Sequence, residues 1–270
     1  MRAFAGALTA LPLFGYGMEY VRLGKTNLLA SRTAFGAMSL KHTGDVETAS
    51  TLIRKAYEAG INFFDTSRSD GASEKLLGDA LYEVRENVII ATKSKASSGQ
   101  ELLRDLDESL GALHCDAIDL YQYETENFVP TADGKDGIYQ TLLTMKASGK
   151  IKHIGAVTED FDTASKIIKT ELYETIQFPF SMISPLVTSS LVGLCAERDM
   201  GFIAMQPLCG GVLSNIPLAF GFLHQYENVF PLWGAETSEE LSQILYFNDR
   251  PPVIDEAFQR DVEKLRTFFN

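Results

Sequence analysis

Cysteine is scarce in this chain: Cys115, Cys195 and Cys209 are its only three among 270 residues. The number is odd, the spacing is wide and there is no CxxC. Neither a disulfide framework nor a zinc site is implied, and a reducing, cytoplasmic compartment is the expectation. Basic residues are short too, with 24 Lys and Arg against 36 Asp and Glu, a formal net charge of −12. Nucleic acid and anionic membrane surfaces repel such a chain, which leaves a small molecule as the expected partner. Long apolar runs are missing as well. The stretch Ala3–Phe14 is interrupted by Gly6, Thr9 and Pro12 and is too short to span a bilayer. HExxH and GxSxG do not occur, which removes zinc-hydrolase and serine-hydrolase chemistry. What remains is globular composition, 45% hydrophobic and 22% charged.

The first 17 residues, MRAFAGALTALPLFGYG, differ from the rest. They read as an N-terminal extension with Met18 as a natural beginning. A secretory signal fits less well, because the apolar stretch is broken and a small-residue cleavage site is only weakly suggested. Residues 18–270 contain no linker-like segment and read as one domain.

From Arg32 onward, short apolar runs alternate with amphipathic stretches. The runs are TAFGAM (33–38), INFFDT (61–66), NVIIATK (87–93), AIDLYQY (117–123), IKHIGAV (151–157), TIQFPF (175–180), GFIAMQP (201–207) and NVFPLW (228–233). Six or seven residues bounded by turn or charge signals is the pattern of strands buried on both faces. Between them, Ala49, Leu52, Ile53, Ala56 and Ala59 share one helical face and Gly60 follows as a stop. Leu103, Leu106, Leu110 and Leu113 predict a second such face, and Leu191, Leu194 and Cys195 a third. Eight strand–helix units predict an α/β fold, a (β/α)8 TIM barrel. A doubly wound open sheet is the alternative, and it fits less well because no GxGxxG follows an early strand. VRLGKTNLLAS (21–31) reads as a β-hairpin ahead of the barrel, and Glu256–Phe269 as a closing helix.

Barrel chemistry sits at the C-terminal strand ends. That rule selects Met38–His42, Asp65–Asp70, Lys93, Glu124, Thr158–Asp160, Gln177–Ser181, Met205–Gly211 and Gly234–Thr237. INFFDTSRSDGASEKLLGDAL, VIIATK, IDLYQYE, IKHIGAV, TIQFPFS and IAMQPLCGG together resemble, in order and spacing, the aldo-keto reductase family, from about Met18 to Leu245. The resemblance implies a nicotinamide-dependent barrel that passes a hydride to a carbonyl. Of the family's catalytic Asp, Tyr, Lys and His, it assigns Asp65 and Lys93. It sets Asp70 where the tyrosine belongs and Glu124 where the histidine belongs.

Those departures alter the proton chemistry. Tyrosine donates a proton, whereas an exposed aspartate is ionised near neutral pH and only accepts. Three carboxylates around one ammonium predict that at least one retains a proton, and Glu124, expected deepest under the substrate, is the candidate. On the cofactor side the resemblance implies Gln177 and Met205 against the nicotinamide, Thr158 after the fifth strand, and Pro207 and Leu208 after the seventh. LWGAETSEELSQIL (232–245) would wrap the adenosine phosphate through Gly234, Ala235, Glu236 and Gln243. Glu236 replaces a basic residue that would meet a 2′-phosphate, which favours NAD(H) over NADP(H). His42, just past the first strand, lies on the active face and is a second acid–base candidate, with an ordinary loop histidine as the alternative. The leading expectation is an NAD(H)-dependent oxidoreductase acting on a small carbonyl, enone or keto-sugar-like substrate. A catalytically inactive barrel that senses or scaffolds, and a non-redox lyase or isomerase, are the alternatives.

Overall fold

The computed structural model describes residues 17–269. Of the expected extension, 1–17, only Gly17 falls among them. Two short strands, β1 (Tyr20–Arg22) and β2 (Leu29–Ser31), pair antiparallel as the hairpin. Eight strands then close a parallel barrel: β3 (Ala34–Gly36), β4 (Phe63–Asp65), β5 (Ile89–Ser94), β6 (Ile118–Glu124), β7 (Ile151–Val157), β8 (Thr175–Pro179), β9 (Gly201–Met205) and β10 (Val229–Trp233). β10 pairs with β3, so the sheet has no open edge and the doubly wound alternative is excluded. Among the described residues no helix is long and apolar enough to cross a membrane.

Helices fill the connections: α1 (Val46–Glu58), α2 (Gly71–Leu81), α3 (Gly99–Ala112), α4 (Ile138–Ala147), α5 (Phe161–Thr170), α6 (Thr188–Glu197), α7 (Ile216–His224) and α8 (Ser238–Asp249), with α9 (Glu256–Phe269) closing the described chain. Most start on a side-chain cap. Asp45, Ser98, Asp160 and Thr237 each accept a hydrogen bond from the backbone N–H three residues on, as an N-cap should. The α1 face is buried as expected, and Gly60 ends it at φ +98°, a conformation open to glycine. On α3 the expected stripe is shifted. Leu102, Leu106 and Leu113 are buried while Leu103 is 42% exposed. Starting the i, i+4 count at Leu102 turns Leu103 about 100° away from the barrel.

Strand parity decides what fills the interior. Leu23 of the hairpin joins Phe63, Ile89, Leu120, Ile203 and Phe230 in one buried cluster. Stepping two residues along β4, β5 and β6 from members of that cluster reaches Asp65, Lys93 (by way of Ala91) and Gln122, so the apolar filling gives way to polar groups toward the C-terminal end. The opposite end carries ion pairs. Asp119 is held by Arg85 at 2.8 Å, Lys152 at 2.8 Å and the Ile90 N–H at 3.0 Å. Glu174 accepts from Lys146 Nζ at 2.6 Å, His153 Nδ1 at 2.7 Å and the Ile154 N–H at 2.9 Å.

Burial pushes the Glu174 carboxyl up, but the hydrogen bonds from His153, Lys146 and Ile154 outweigh it and hold the group down at about 2. A carboxyl whose folded pKa lies below its unfolded value of 4.5 stabilises the fold above that value. The stabilisation is lost as pH falls from there toward about 2. Glu174→Gln is therefore expected to cost about 3 kcal/mol at neutral pH and to flatten this acid limb. Denaturant midpoints measured between pH 2 and 7 check it, and an unchanged limb would rule out Glu174 as its source.

Candidate functional site

A cavity of about 900 Å³ opens at the C-terminal ends of the barrel strands. That lies within the range of small-molecule and cofactor sites. A second, of about 130 Å³, lies between Arg32, Phe220, Trp233 and Asn248 and contains none of the expected groups.

Asp65 ends β4 and Lys93 lies near the end of β5, both nearly inaccessible to water. Lys93 Nζ donates to Asp65 Oδ2 at 2.6 Å and to the Thr66 carbonyl at 2.6 Å. Burial lifts the Asp65 carboxyl above the ordinary range against the opposing pull of Lys93, Gln122 and Gln177. Gln122 of β6 bridges the centre of the barrel. Its Nε2 donates to Asp65 Oδ1 at 3.0 Å and to Gln177 Oε1 at 2.9 Å. Gln177 Nε2 faces Met205 Sδ at 3.8 Å.

Of the expected catalytic residues, Asp65, Lys93 and Glu124 border the cavity and Asp70 does not. Asp70 is the N-cap of α2, accepting from the Ser73 N–H at 3.3 Å through Oδ1, and Ser69 takes the cavity wall beside it. Below this loop, Arg68 reaches 2.5 Å from Glu74 Oε2, while Thr92 and Ser109 donate to Glu74 Oε1 at 2.8 and 2.7 Å. That anchor accounts for the loop's course. The expectation for Glu124 also changes. Its side chain is 24% exposed and lies 3.2 Å from Lys95 Nζ, so it sits at the rim and not in the depth. Its carboxyl faces the Lys95 ammonium there, and not the deep substrate position expected of a donor. Of the three expected carboxylates two border the cavity, and they face two ammonium groups instead of one.

Among the expected cofactor residues, Gln177, Met205, Pro207, Leu208, Gly234, Glu236 and Gln243 border the cavity, whereas Thr158 and Ala235 do not. Each of those two follows a residue that does. Val157 and Gly234 face inward, and one step along an extended chain turns the next side chain the other way. Thr158 is 1% exposed, and its hydroxyl lies between the Glu126 carbonyl at 3.4 Å and the Asp160 N–H at 3.2 Å. Ala235 is also 1% exposed. His42 borders the mouth.

Gln122, Lys95 and Glu240 are wall or support residues outside the strand-end segments that the sequence singled out. Lys95 and Gln122 were accessible in principle, each two residues from a group already singled out and so on the same strand face. Glu240 closes a Thr-x-x-Glu sequence at the α8 start, and its carboxylate reaches the residue before the Thr237 cap. Its Oε2 accepts from the Glu236 N–H at 2.8 Å while its own N–H donates to Thr237 Oγ1 at 3.2 Å. Glu236 and Glu240 thus stand together at the α8 start, and among the described residues neither a lysine nor an arginine borders that part of the wall.

Comparison with known proteins agrees with the motifs. The sequence pattern of the aldo/keto reductase family matches residues 32–218. An uncharacterized oxidoreductase of Bacillus subtilis (strain 168) is 27% identical over 230 residues, covering 73% of this chain and 69% of its own length. L-galactose dehydrogenase of Arabidopsis thaliana is 29% identical over 216 residues, with 73% and 68% covered. The NADH-specific methylglyoxal reductase of Escherichia coli (strain K12) is 25% identical over 227 residues, with 73% and 70% covered. The curated relatives are thus matched over roughly two thirds of their lengths, from 64% to 70%. Among solved structures, the holo form of aldo-keto reductase AKR11C1 from Bacillus halodurans superposes with a TM-score of 0.81 at 21% identity, covering 92% of this chain and 96% of that one. At that identity the likeness concerns the fold.

Proposed function

Since the chain belongs to the aldo/keto reductase family, we propose that it is an oxidoreductase that binds NAD(H) in preference to NADP(H). Its substrate in this reading is a small carbonyl, enone or keto-sugar-like compound, and Lys93 is the group that meets the substrate oxygen. One observation carries the proposal: a single cavity joins the buried Lys93–Asp65 pair to Gln177, Met205, Gly234, Glu236 and Gln243.

The donor set suits a nicotinamide dinucleotide. Beyond its pull on Asp65, Gln177 has only a weak thioether acceptor for its Nε2, which leaves an amide hydrogen for a carboxamide. Gly210 and Gly211, both at positive φ, have open space where a side chain would stand, so their backbone can approach a pyrophosphate. Glu236 and Glu240 can accept from a free ribose hydroxyl and repel a 2′-phosphate. The similarity to a relative named NADH-specific supports the same preference.

When bound, the dinucleotide supplies the hydride. The chain supplies the electrostatics. Lys93 Nζ spends two hydrogens on Asp65 and Thr66, leaving the third for a ligand. A charge-assisted donor in a dry pocket stabilises negative charge developing on a carbonyl oxygen. Asp65 keeps that ammonium in place, and Glu124 with Lys95 offers a polar rim to substrate hydroxyls.

A binding-only barrel is the second reading, favoured by one observation: no tyrosine borders the cavity among the described residues, and Asp70 is committed to capping α2. Titration with NADH and NADPH, followed by a panel of aldehydes, ketones, enones and keto-sugars, separates the two. NADH is expected to bind at least about fivefold tighter than NADPH, in line with one or two exposed charge contacts. Glu236→Lys is expected to reverse the order. Binding without any turnover supports the second reading. Failure of both nucleotides to bind at millimolar concentration overturns the first.

A further inference from the structure

We propose that Gln122 is a positioning residue that fixes the hydrogen-bond polarity of Gln177, so that this part of the wall presents a donor and not an acceptor. The inference rests on the reading that a nicotinamide docks against Gln177.

Gln122 is fully buried on β6 and both hydrogens of its Nε2 are committed, one to Asp65 Oδ1 at 3.0 Å and one to Gln177 Oε1 at 2.9 Å. Its own Oε1 is buried without a partner. An orphaned buried carbonyl is costly, and turning the amide over would be worse. That turn would set Oε1 against Asp65 Oδ1, whose sister oxygen is bound to Lys93, and against Gln177 Oε1 as well. Both contacts would then be acceptor against acceptor. The orientation of Gln122 is therefore dictated by Asp65 on one side, and it dictates Gln177 on the other. With Oε1 of Gln177 occupied, only its Nε2 remains; it pulls on Asp65, and its other neighbour is the thioether of Met205 at 3.8 Å, a weak acceptor. Since Gln177 borders the cavity, the ligand atom opposite it must be an acceptor. A carboxamide meets this wall with its carbonyl oxygen and leaves its NH₂ elsewhere. The Lys93–Asp65 pair and the cofactor wall are thereby joined through one side chain.

Three dinucleotides test the polarity: NAD, its 3-acetylpyridine analogue, which keeps the carbonyl and lacks NH₂, and its 3-aminopyridine analogue, which keeps a donor and lacks the carbonyl. Calorimetry on the wild-type protein is expected to show the acetylpyridine analogue binding about tenfold tighter than the aminopyridine one, the size of a mispaired hydrogen bond. In Gln122→Met, of similar volume, Gln177 loses the donor that holds its Oε1 and the ratio is expected to fall to within about twofold. A side chain that only supports the fold would weaken all three ligands alike and leave the ratio intact, which overturns the inference. Gln122→Leu, which also lacks the donors, is expected to show the same collapse and guards against misfolding of the first variant.

Should no dinucleotide bind even the wild-type protein, the reading of a nicotinamide site fails, and the polarity is decided without ligand. A scalar coupling across the hydrogen bond from Gln122 Nε2 to Gln177 Cδ is then expected in the nuclear magnetic resonance spectrum. Its absence, or the reverse coupling from Gln177 Nε2 to Gln122 Cδ, overturns the inference.

Discussion

Asp65→Ala is expected to lower the stability of the fold by about 3–5 kcal/mol, the cost of leaving one partner of a buried ion pair unpaired. Lys93 is 4% exposed and its ammonium has two partners, Asp65 Oδ2 and the Thr66 carbonyl. Removing the carboxylate leaves a cation with one neutral acceptor in a nearly dry barrel end. Gln122 loses an acceptor at the same time. A double-mutant cycle isolates the cause. If the stranded charge dominates, Asp65→Ala combined with Lys93→Met should be more stable than Asp65→Ala alone, because the charge itself has gone. Urea midpoints of the four proteins give the answer. A loss under about 1 kcal/mol for Asp65→Ala would mean that water reaches the ammonium, and the view of this pair as desolvated would be wrong.

The pair was legible before any coordinates because it lies on strands, and strands announce themselves. Each of the eight apolar runs overlaps one barrel strand, with ends shifted by no more than two residues. Once a strand is placed, parity assigns its faces, which is why Asp65, Lys93, Gln177 and Met205 all border the cavity. The failures fall where parity is unavailable or was not applied. Thr158 and Ala235 were taken from motif positions, yet each is one step from the residue that points inward. Asp70 lies in the loop after β4, where orientation is set by a local contest. A carboxylate beside the free N–H groups of a helix start is drawn to cap them, and Asp70 does so through Ser73. A tyrosine has no such alternative, so aligning the position did not transfer the direction. For Glu124 the decisive neighbour was Lys95, across one strand pair. The motif names one lysine, whereas the carboxyl pairs with a second one two residues further along the chain. Hydrogen-bond networks such as Asp65–Gln122–Gln177 depend on which strands sit side by side, and a linear pattern carries that only after the barrel is closed.

Lys93→Met carries the largest expected functional effect. If the third hydrogen of this ammonium meets the substrate oxygen, its loss should lower turnover by about 10²–10³-fold, the scale of removing one preorganised donor from a reacting oxyanion. Nucleotide affinity should stay within about threefold, a change smaller than the loss of one typical hydrogen bond, because Gln177, Gly234 and Glu236 are untouched. The substitution leaves Asp65 without its counter-ion, but burial already pushes that carboxyl upward, so without the lysine it takes a proton and stays neutral. Asp65 Oδ1 still faces Gln122, and the methionine fills much of the lysine's volume, which makes the variant a test of charge more than of packing. Lys93→Arg refines the result. It retains the charge but replaces a point donor with a planar fork too large for the gap between Asp65 and the Thr66 carbonyl, so it should also lose turnover. Single-turnover measurements with saturating NADH separate chemistry from binding. If Lys93→Met keeps more than about a third of wild-type turnover, far from the loss expected for an oxyanion donor, Lys93 does not meet the oxygen. The group that meets the oxygen must then be sought at the mouth, where His42 and Ser69 border the same cavity.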